Sequence, residues 1–363
     1  MAKNLSIVAE GISGDEGHLL GHNISDNGIY TPAIGDVVRG TSATYVAQDG
    51  TLKTAKPNVA RVDYTNGVAE LLLEPTSTNL VTYSEDFSQS AWVNGSTFTN
   101  QNYGISPSGE NDASRLLFTN SSQSVYTSTT ATGKIVGSLY VKGVFGETIQ
   151  LFVGGAETQF TLNGEWQRLS LKNPSSVNGF LNINTNGGST ARDLMIWGAQ
   201  IEQITEVTSY ISTNGATASR SADTITNFGS SQIIDSQSGI LFFKGSFFDN
   251  GLRRLSLRND SNATLIYISS NSGQVQSVYF SQATNSSIIT TNTDAVSKSV
   301  KIAFKYRSND FSLWVDGVKV GEDLSGQADG SATSFSFYDN SVYFYGRVRQ
   351  VKHLPYNTDI STL

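Results

Sequence analysis

The feature that most restricts the fold of this chain is the alternation of apolar and polar residues over short runs, each cut off by Gly, Asn, Ser or Asp. Ile149, Leu151 and Val153 alternate with Gln150 and Phe152. Ile302, Phe304 and Tyr306 oppose Ala303, Lys305 and Arg307, and Phe311, Leu313 and Val315 face one way until Asp316-Gly317. A period of two places successive side chains on opposite faces of a strand, so these runs read as half-buried antiparallel β-strands. Asp316-Gly317 lies between two such runs, and an Asp-Gly pair there predicts a tight hairpin, because both central residues of a type I′ turn need positive φ. Asn271-Ser272-Gly273 separates 265–268 from 275–280 in the same way. No window of a dozen residues carries apolar residues at helical spacing with caps. The fold expected is all-β.

At 363 residues the chain exceeds one ordinary domain of roughly 100–200 residues. Residues 1–79, with Pro32, Pro57, Pro75 and many glycines, read as an irregular N-terminal attachment segment. Residues 80–211 form one strand-rich block, expected to be a jelly roll, and 222–363 a second, expected to be a concanavalin A-like sandwich. The Ser-, Thr- and Ala-rich stretch 212–221 reads as a linker between them. On this division, a chain beginning at residue 80 keeps both antiparallel β-sandwiches.

Composition removes several function classes. The net charge is −7, and charged residues are only 15% of the chain, so a nucleic-acid partner, which needs a basic face, is not expected. Cys is absent, which excludes disulfides, thiolate catalysis and Cys-bound metal. His18 and His22 are four residues apart but flanked by glycines and without a HExxH glutamate, and read as a polar loop rather than a metal site. No apolar run approaches the ~18–20 residues of a membrane helix, so membrane insertion is not expected, and the N-terminus lacks the pattern of an export signal. No cofactor is implied.

The stretch Leu71-Leu-Leu-Glu-Pro-Thr-Ser-Thr-Asn-Leu-Val-Thr-Tyr-Ser-Glu-Asp-Phe-Ser-Gln-Ser-Ala-Trp92 resembles a phrase that recurs in bacteriophage tail-fibre, head-fibre and related virion proteins. Upstream, Arg39-Gly-Thr-Ser-Ala-Thr-Tyr45, Asp49-Gly50 and Ala60-Arg-Val-Asp-Tyr64 resemble the lead-in that precedes it, so that 36–92 carries the likeness. Asn79-Leu80, Phe87, Trp92, 137–142, 164–170 and 195–201 are similar to strands of carbohydrate-binding-module jelly rolls. The calcium-holding Asp of many such modules is missing at Trp197-Gly198-Ala199, so no metal site is carried over. The runs 301–306, 309–321 and 346–355 resemble the concanavalin A-like lectin/glucanase sandwich of phage fibres. These resemblances imply a virion setting on the particle exterior and a homotrimer, with attachment to a capsid or tail protein through residues 1–79. A head fibre is mildly preferred over a tail fibre.

Catalysis is not expected. A glycosidase needs two converging carboxylates, ~5–5.5 Å apart in retaining enzymes. The chain has no Glu-x-Asp-x-x-Glu, and its acidic pairs Asp15-Glu16, Glu85-Asp86 and Glu322-Asp323 are adjacent, which sends their side chains to opposite faces of a strand. There is no Gly-x-Ser-x-Gly elbow, and His353, at the end of a strand, reads as a surface residue.

Binding to a host-surface glycan needs an aromatic platform with polar neighbours. Parity places Trp314 on the face opposite Phe311, Leu313 and Val315, in company with Ser312 and Asp316, and these three are the leading carbohydrate candidates. Cover by a loop or a subunit interface is the competing account of Trp314. Tyr140, opposite Leu139 and Val141, is a further carbohydrate candidate, whereas Trp92, Trp166 and Trp197 read as core. Tyr343, Tyr345, Arg347 and Arg349 form an aromatic and arginine stripe expected at an oligomer interface. The favoured reading is a structural fibre or spike subunit of a phage particle that touches host glycans. A glycan-degrading tailspike and a secreted carbohydrate-binding adhesin are its alternatives.

Overall fold

The computed structural model describes residues 5–9, 18–24, 30–95, 98–229, 234–261, 263–281, 287–296, 298–339 and 341–363. These residues are strands and connecting turns, with no α-helix among them and a 3₁₀ turn at Ile360–Thr362. Every strand pairing among them is antiparallel. The alternation reads as expected: Ile149, Leu151 and Val153 are fully buried, as are Ile302, Phe304, Tyr306, Phe311 and Leu313. Both hairpins close as the turn residues require, with φ of 48° and 81° at Asp316 and Gly317, and 50° and 79° at Ser272 and Gly273.

The chain forms two compact units, and neither is a single stretch of sequence. One contains 43–54 and 76–221. Its two five-stranded sheets, Phe98–Gly104 to Gln167–Ser176 and Ala156–Thr161 to Val93–Gly95, exchange consecutive strands repeatedly, in the manner of a jelly roll. Their inner faces enclose a core that includes Phe87, Trp92, Leu139, Val141, Ile149, Leu151, Leu181 and Ile196.

The other unit contains 1–42, 55–75 and 222–363. An eleven-stranded sheet packs on a five-stranded one, and Leu71, Leu241, Phe243, Ile266, Phe304, Phe311 and Val351 share the core between them.

This division corrects the expected boundaries. Residues 1–79 are not a separate irregular segment. Leu5–Val8 pairs with Gly346–Leu354, Tyr30–Val38 pairs with Thr224–Thr226, and Glu70–Leu73 pairs with Gly346–Leu354. The run Leu71-Leu72-Leu73 is buried, and only a core can cover three consecutive leucines whose side chains point both ways from the strand. Residues 212–221 are not a free linker either. Ala218–Arg220 pairs with Ser77–Asn79, and the Thr213 N–H donates to Ser84 Oγ. The stretch containing His18 and His22 is a strand, His18–Ile24, rather than a loop.

Candidate functional site

Charged residues between Arg39 and Glu74 have a structural task. Arg39 and Arg61 are both fully buried, and both reach Asp223. Arg39 Nη1 lies 2.9 Å from one Asp223 oxygen, and Arg61 Nη2 lies 2.5 Å from the other. Arg61 Nη2 is also 2.8 Å from Glu74 Oε2, and the Glu74 N–H donates to Asp223. The rest of the Arg39 guanidinium donates to the carbonyls of Thr41, Lys56 and Val59. Two cations and two anions thus balance inside the unit. Burial works against the charge on Arg61, but Asp223 and Glu74 hold its ionisation above the usual arginine range.

In the other unit, Asn79 acts as a four-way splint. Its amide donates to the carbonyls of Ala199 and Ile211, and its oxygen accepts from the N–H groups of Val81 and Ile201. Glu74 and Asn79 stand in the quoted phrase and Arg39 and Arg61 in its lead-in, so the signal was present. Their partner Asp223 lies 149 residues beyond Glu74, outside any motif.

Trp314 lies on the face that parity assigned, but its surroundings differ from those expected. It is half-buried against Ile240, Phe242, Ala303 and Leu354, and the terminal residues Ile360 and Leu363 pack on the same cluster. Its indole N–H donates to Ser312 Oγ at 2.9 Å, and Ser312 is itself buried. Asp316 Oδ1 accepts the Lys301 N–H at 2.8 Å, so that carboxylate fastens the hairpin. The polar groups expected to greet a sugar beside Trp314 are therefore used internally, and the open-platform picture is corrected to a ring partly covered by the 3₁₀ turn. A shallow cleft remains beside it, bordered by Phe242, Lys301, Gly317 and Leu363.

Tyr140 is not an open platform. It is buried with Trp197, Tyr210 and Leu52, with ring centroids 5.6 Å from Trp197 and 6.4 Å from Tyr210. A bulge opposite Ser138–Tyr140 brings this about, with Gly198 at φ 63° where an added Cβ would meet the Tyr140 ring at 3.1 Å. Burial first, then the Glu85 carboxylate, pushes the Tyr210 hydroxyl well above its ordinary range. Trp92 and Trp197 are core, as expected, while Trp166 is half-buried and donates to the Ile105 carbonyl. His353 is buried rather than superficial, with Nε2 2.8 Å from the Tyr306 hydroxyl.

Tyr343, Tyr345 and Arg347 make contacts within the chain. The two tyrosine rings stack at 5.9 Å and 6°, and Arg253, held by Asp249, lies over Tyr345. Arg347 is paired within the chain to Asp63 and Glu70. Arg349 sits in the bulge of Gly346–Leu354 opposite Lys244–Gly245. Gly346, at φ 152°, and that bulge break the strict alternation on which a four-residue stripe depends.

No family model matches this chain, and no curated protein matches it. Among solved structures, it is similar to the mouse laminin alpha1 chain, domains LG4-5, at 11% identity and a TM-score of 0.27, over 73% of this chain and 90% of that one. It is similar to the full extracellular region of zebrafish Gpr126/Adgrg6 at 13% identity and a TM-score of 0.26, over 76% of this chain and 37% of that one. The class of protein rests on the strand order and register described above: an all-β chain of two antiparallel sandwiches.

Proposed function

We propose that this chain is a structural fibre or spike subunit on the outside of a bacteriophage particle. It assembles as a homotrimer, joins a capsid or tail protein through the N-terminal part of the chain, and presents its sandwiches to host-surface glycans. The observation that carries this reading is the phrase between Arg39 and Trp92. Its distinctive residues are the ones committed to buried polar networks, Arg39, Arg61 and Glu74 in one unit and Asn79 in the other. Residues with tasks of this kind support a scaffold rather than a reaction. The β-rich, charge-poor make-up suits packing of chains side by side, where few charges must be desolvated.

The test is the composition of purified virus particles, read by mass spectrometry, together with light scattering on the isolated protein. The chain is expected in the particles, at about three times its 39.0 kDa mass in solution. Its absence from intact particles overturns the virion role, and a monomer at micromolar concentration overturns the trimer. Release of new reducing ends from host polysaccharide would replace the structural role with a catalytic one.

A further inference from the structure

The outer face of the eleven-stranded sheet gathers cations that nothing in the fold requires. Lys244 stands in register with Lys301 on one neighbouring strand and with Gln350 on the other. Lys352 stands opposite Phe242, and Lys305 opposite Ile240, on the same face. Directly opposed side chains on antiparallel strands have Cβ atoms about 4.5–5.5 Å apart, and diagonal neighbours about 7–8 Å. Arg349, from the adjoining bulge, joins this group: it and Lys301 act on Lys244 as like charges.

Among the described residues, Lys244, Lys352 and Arg349 have no carboxylate partner. Burial, then the neighbouring cations Arg349 and Lys301, hold the Lys244 ammonium below its ordinary range. Burial and then Lys244 do the same to Lys352. Lys301 spends its ammonium on the Leu363 carbonyl at 2.5 Å. This concentration of positive charge stands on a chain of net charge −7. Like charges placed together weaken a fold, so a local conflict of this kind points to something outside it.

The apolar residues next to these cations are packed under Trp314, Leu354, Ile360 and Leu363. Ile240, Phe242 and Ala303 are buried beneath them, with Trp314 half-buried at one side beside its shallow cleft. Further along the face, Lys305 and Arg307 each lie over the Tyr356 ring, 4.1 Å from its centroid, and the Tyr356 hydroxyl donates to Asp310, which also pairs with Arg307. Spaced positive groups with the half-buried Trp314 ring beside them match a polymer of sugar rings with widely spaced acids. Duplex nucleic acid fits poorly, because it carries a charge every ~1.7 Å and the chain as a whole repels it.

We propose that this face binds an acidic polysaccharide, with Lys244, Lys352 and Arg349 meeting sugar carboxylates while Trp314 and Tyr356 border the sugar rings. This rests on the glycan-contacting part of the proposed function, and gives that contact a place and a chemical class.

The experiment is calorimetric titration of the full chain with polygalacturonate, with dextran as the neutral polymer and oligo-dT as the nucleic-acid polyanion. Saturable binding of polygalacturonate that weakens as salt rises is expected, with none to dextran. The double variant Lys244→Gln/Lys352→Gln should lose roughly tenfold in affinity, the scale of removing charged contacts at an interface, while melting no lower than the parent. Arg349→Gln alone, which leaves both lysines in place, should show a smaller loss and serves if the double variant fails to fold. Unchanged affinity in these variants, equal binding of dextran, or tighter binding of oligo-dT each overturns the site. Failure of the parent to bind polygalacturonate removes this inference alone, since the virion role is read separately from particle composition.

Discussion

The same sandwich treats two groups of cations in opposite ways. Arg39 and Arg61 are fully buried and meet Asp223 and Glu74 at 2.5–2.9 Å, so their charges cancel within the network. Lys244, Lys352 and Arg349 stand on the outer face of the large sheet without a carboxylate partner among the described residues. A buried ion that lost its partner would cost several kcal/mol, so the inner group must be matched for the chain to fold. The outer group can be left unmatched because water screens it, and its cost is small. The difference teaches where to look for each role: matched charges report architecture, and unmatched ones of a single sign report what the surface meets.

The strongest way to break this comparison is to remove the inner group outright. A chain lacking residues 1–79 loses Arg39, Arg61 and Glu74, leaves Asp223 buried alone, and exposes the strand edge covered by Glu70–Leu73. It is expected to show no cooperative thermal transition by calorimetry; a soluble, cooperatively melting product would return residues 1–79 to the status of a detachable segment.

Next in size is Asp223→Ala. It strands two buried guanidinium groups and is expected to cost about 3–5 kcal/mol, the range for breaking a buried pair. Denaturant unfolding measures it, and a loss below about 1 kcal/mol would mean that Arg39 is satisfied by the carbonyls of Thr41, Lys56 and Val59, and Arg61 by Glu74.

Trp314→Ala should cost less than the ~3–5 kcal/mol of emptying a core aromatic site, because Trp314 is half-buried in a small outer cluster. Hydrogen exchange should quicken at Ile360–Thr362, which packs there. A full core-sized loss, with exchange unchanged in that turn, would place the ring's main support elsewhere.

The smallest effect sharpens the outer group. Burial and neighbouring cations hold the Lys244 and Lys352 ammonium groups below the ordinary lysine range in the folded chain, so the unfolded chain holds more protons in that window. Stability should therefore rise with pH from the lowered values up to about 10.5, and be lower at neutral pH than without the cluster. Lys244→Gln should raise stability by about 0.2–1 kcal/mol at low salt, the scale of exposed charge pairs, and the gain should shrink as salt is added. A destabilised Lys244→Gln would mean that packing of the lysine stem outweighs the repulsion.

The lessons for reading such a chain come from single residues. Parity placed Ile149, Leu151 and Val153 inside, and set Trp314 on the face opposite Leu313, because side-chain direction along a strand depends only on the pleat. The turns at Asp316-Gly317 and Ser272-Gly273 were legible because positive φ is a local steric demand that few residues meet. Parity also set Tyr140 opposite Leu139 and Val141, yet it could not say that Trp197 and Tyr210 cover that second face. The stripe from Tyr343 to Arg349 was drawn on an alternation that a bulge interrupts, and a bulge belongs to a pair of strands rather than to one.

The amino-acid sequence by itself determined the β class, the inward faces of its strands and the tight turns that join them, because backbone sterics and the period of two act between near neighbours. The tertiary structure alone decided that 1–42 and 55–75 belong with the last sandwich, that Asp223 neutralises Arg39 and Arg61, and that Ile360 lies against the Trp314 cluster. Each of those pairings joins residues far apart in the chain, and their choice depends on the burial of many groups at once, which no local pattern encodes.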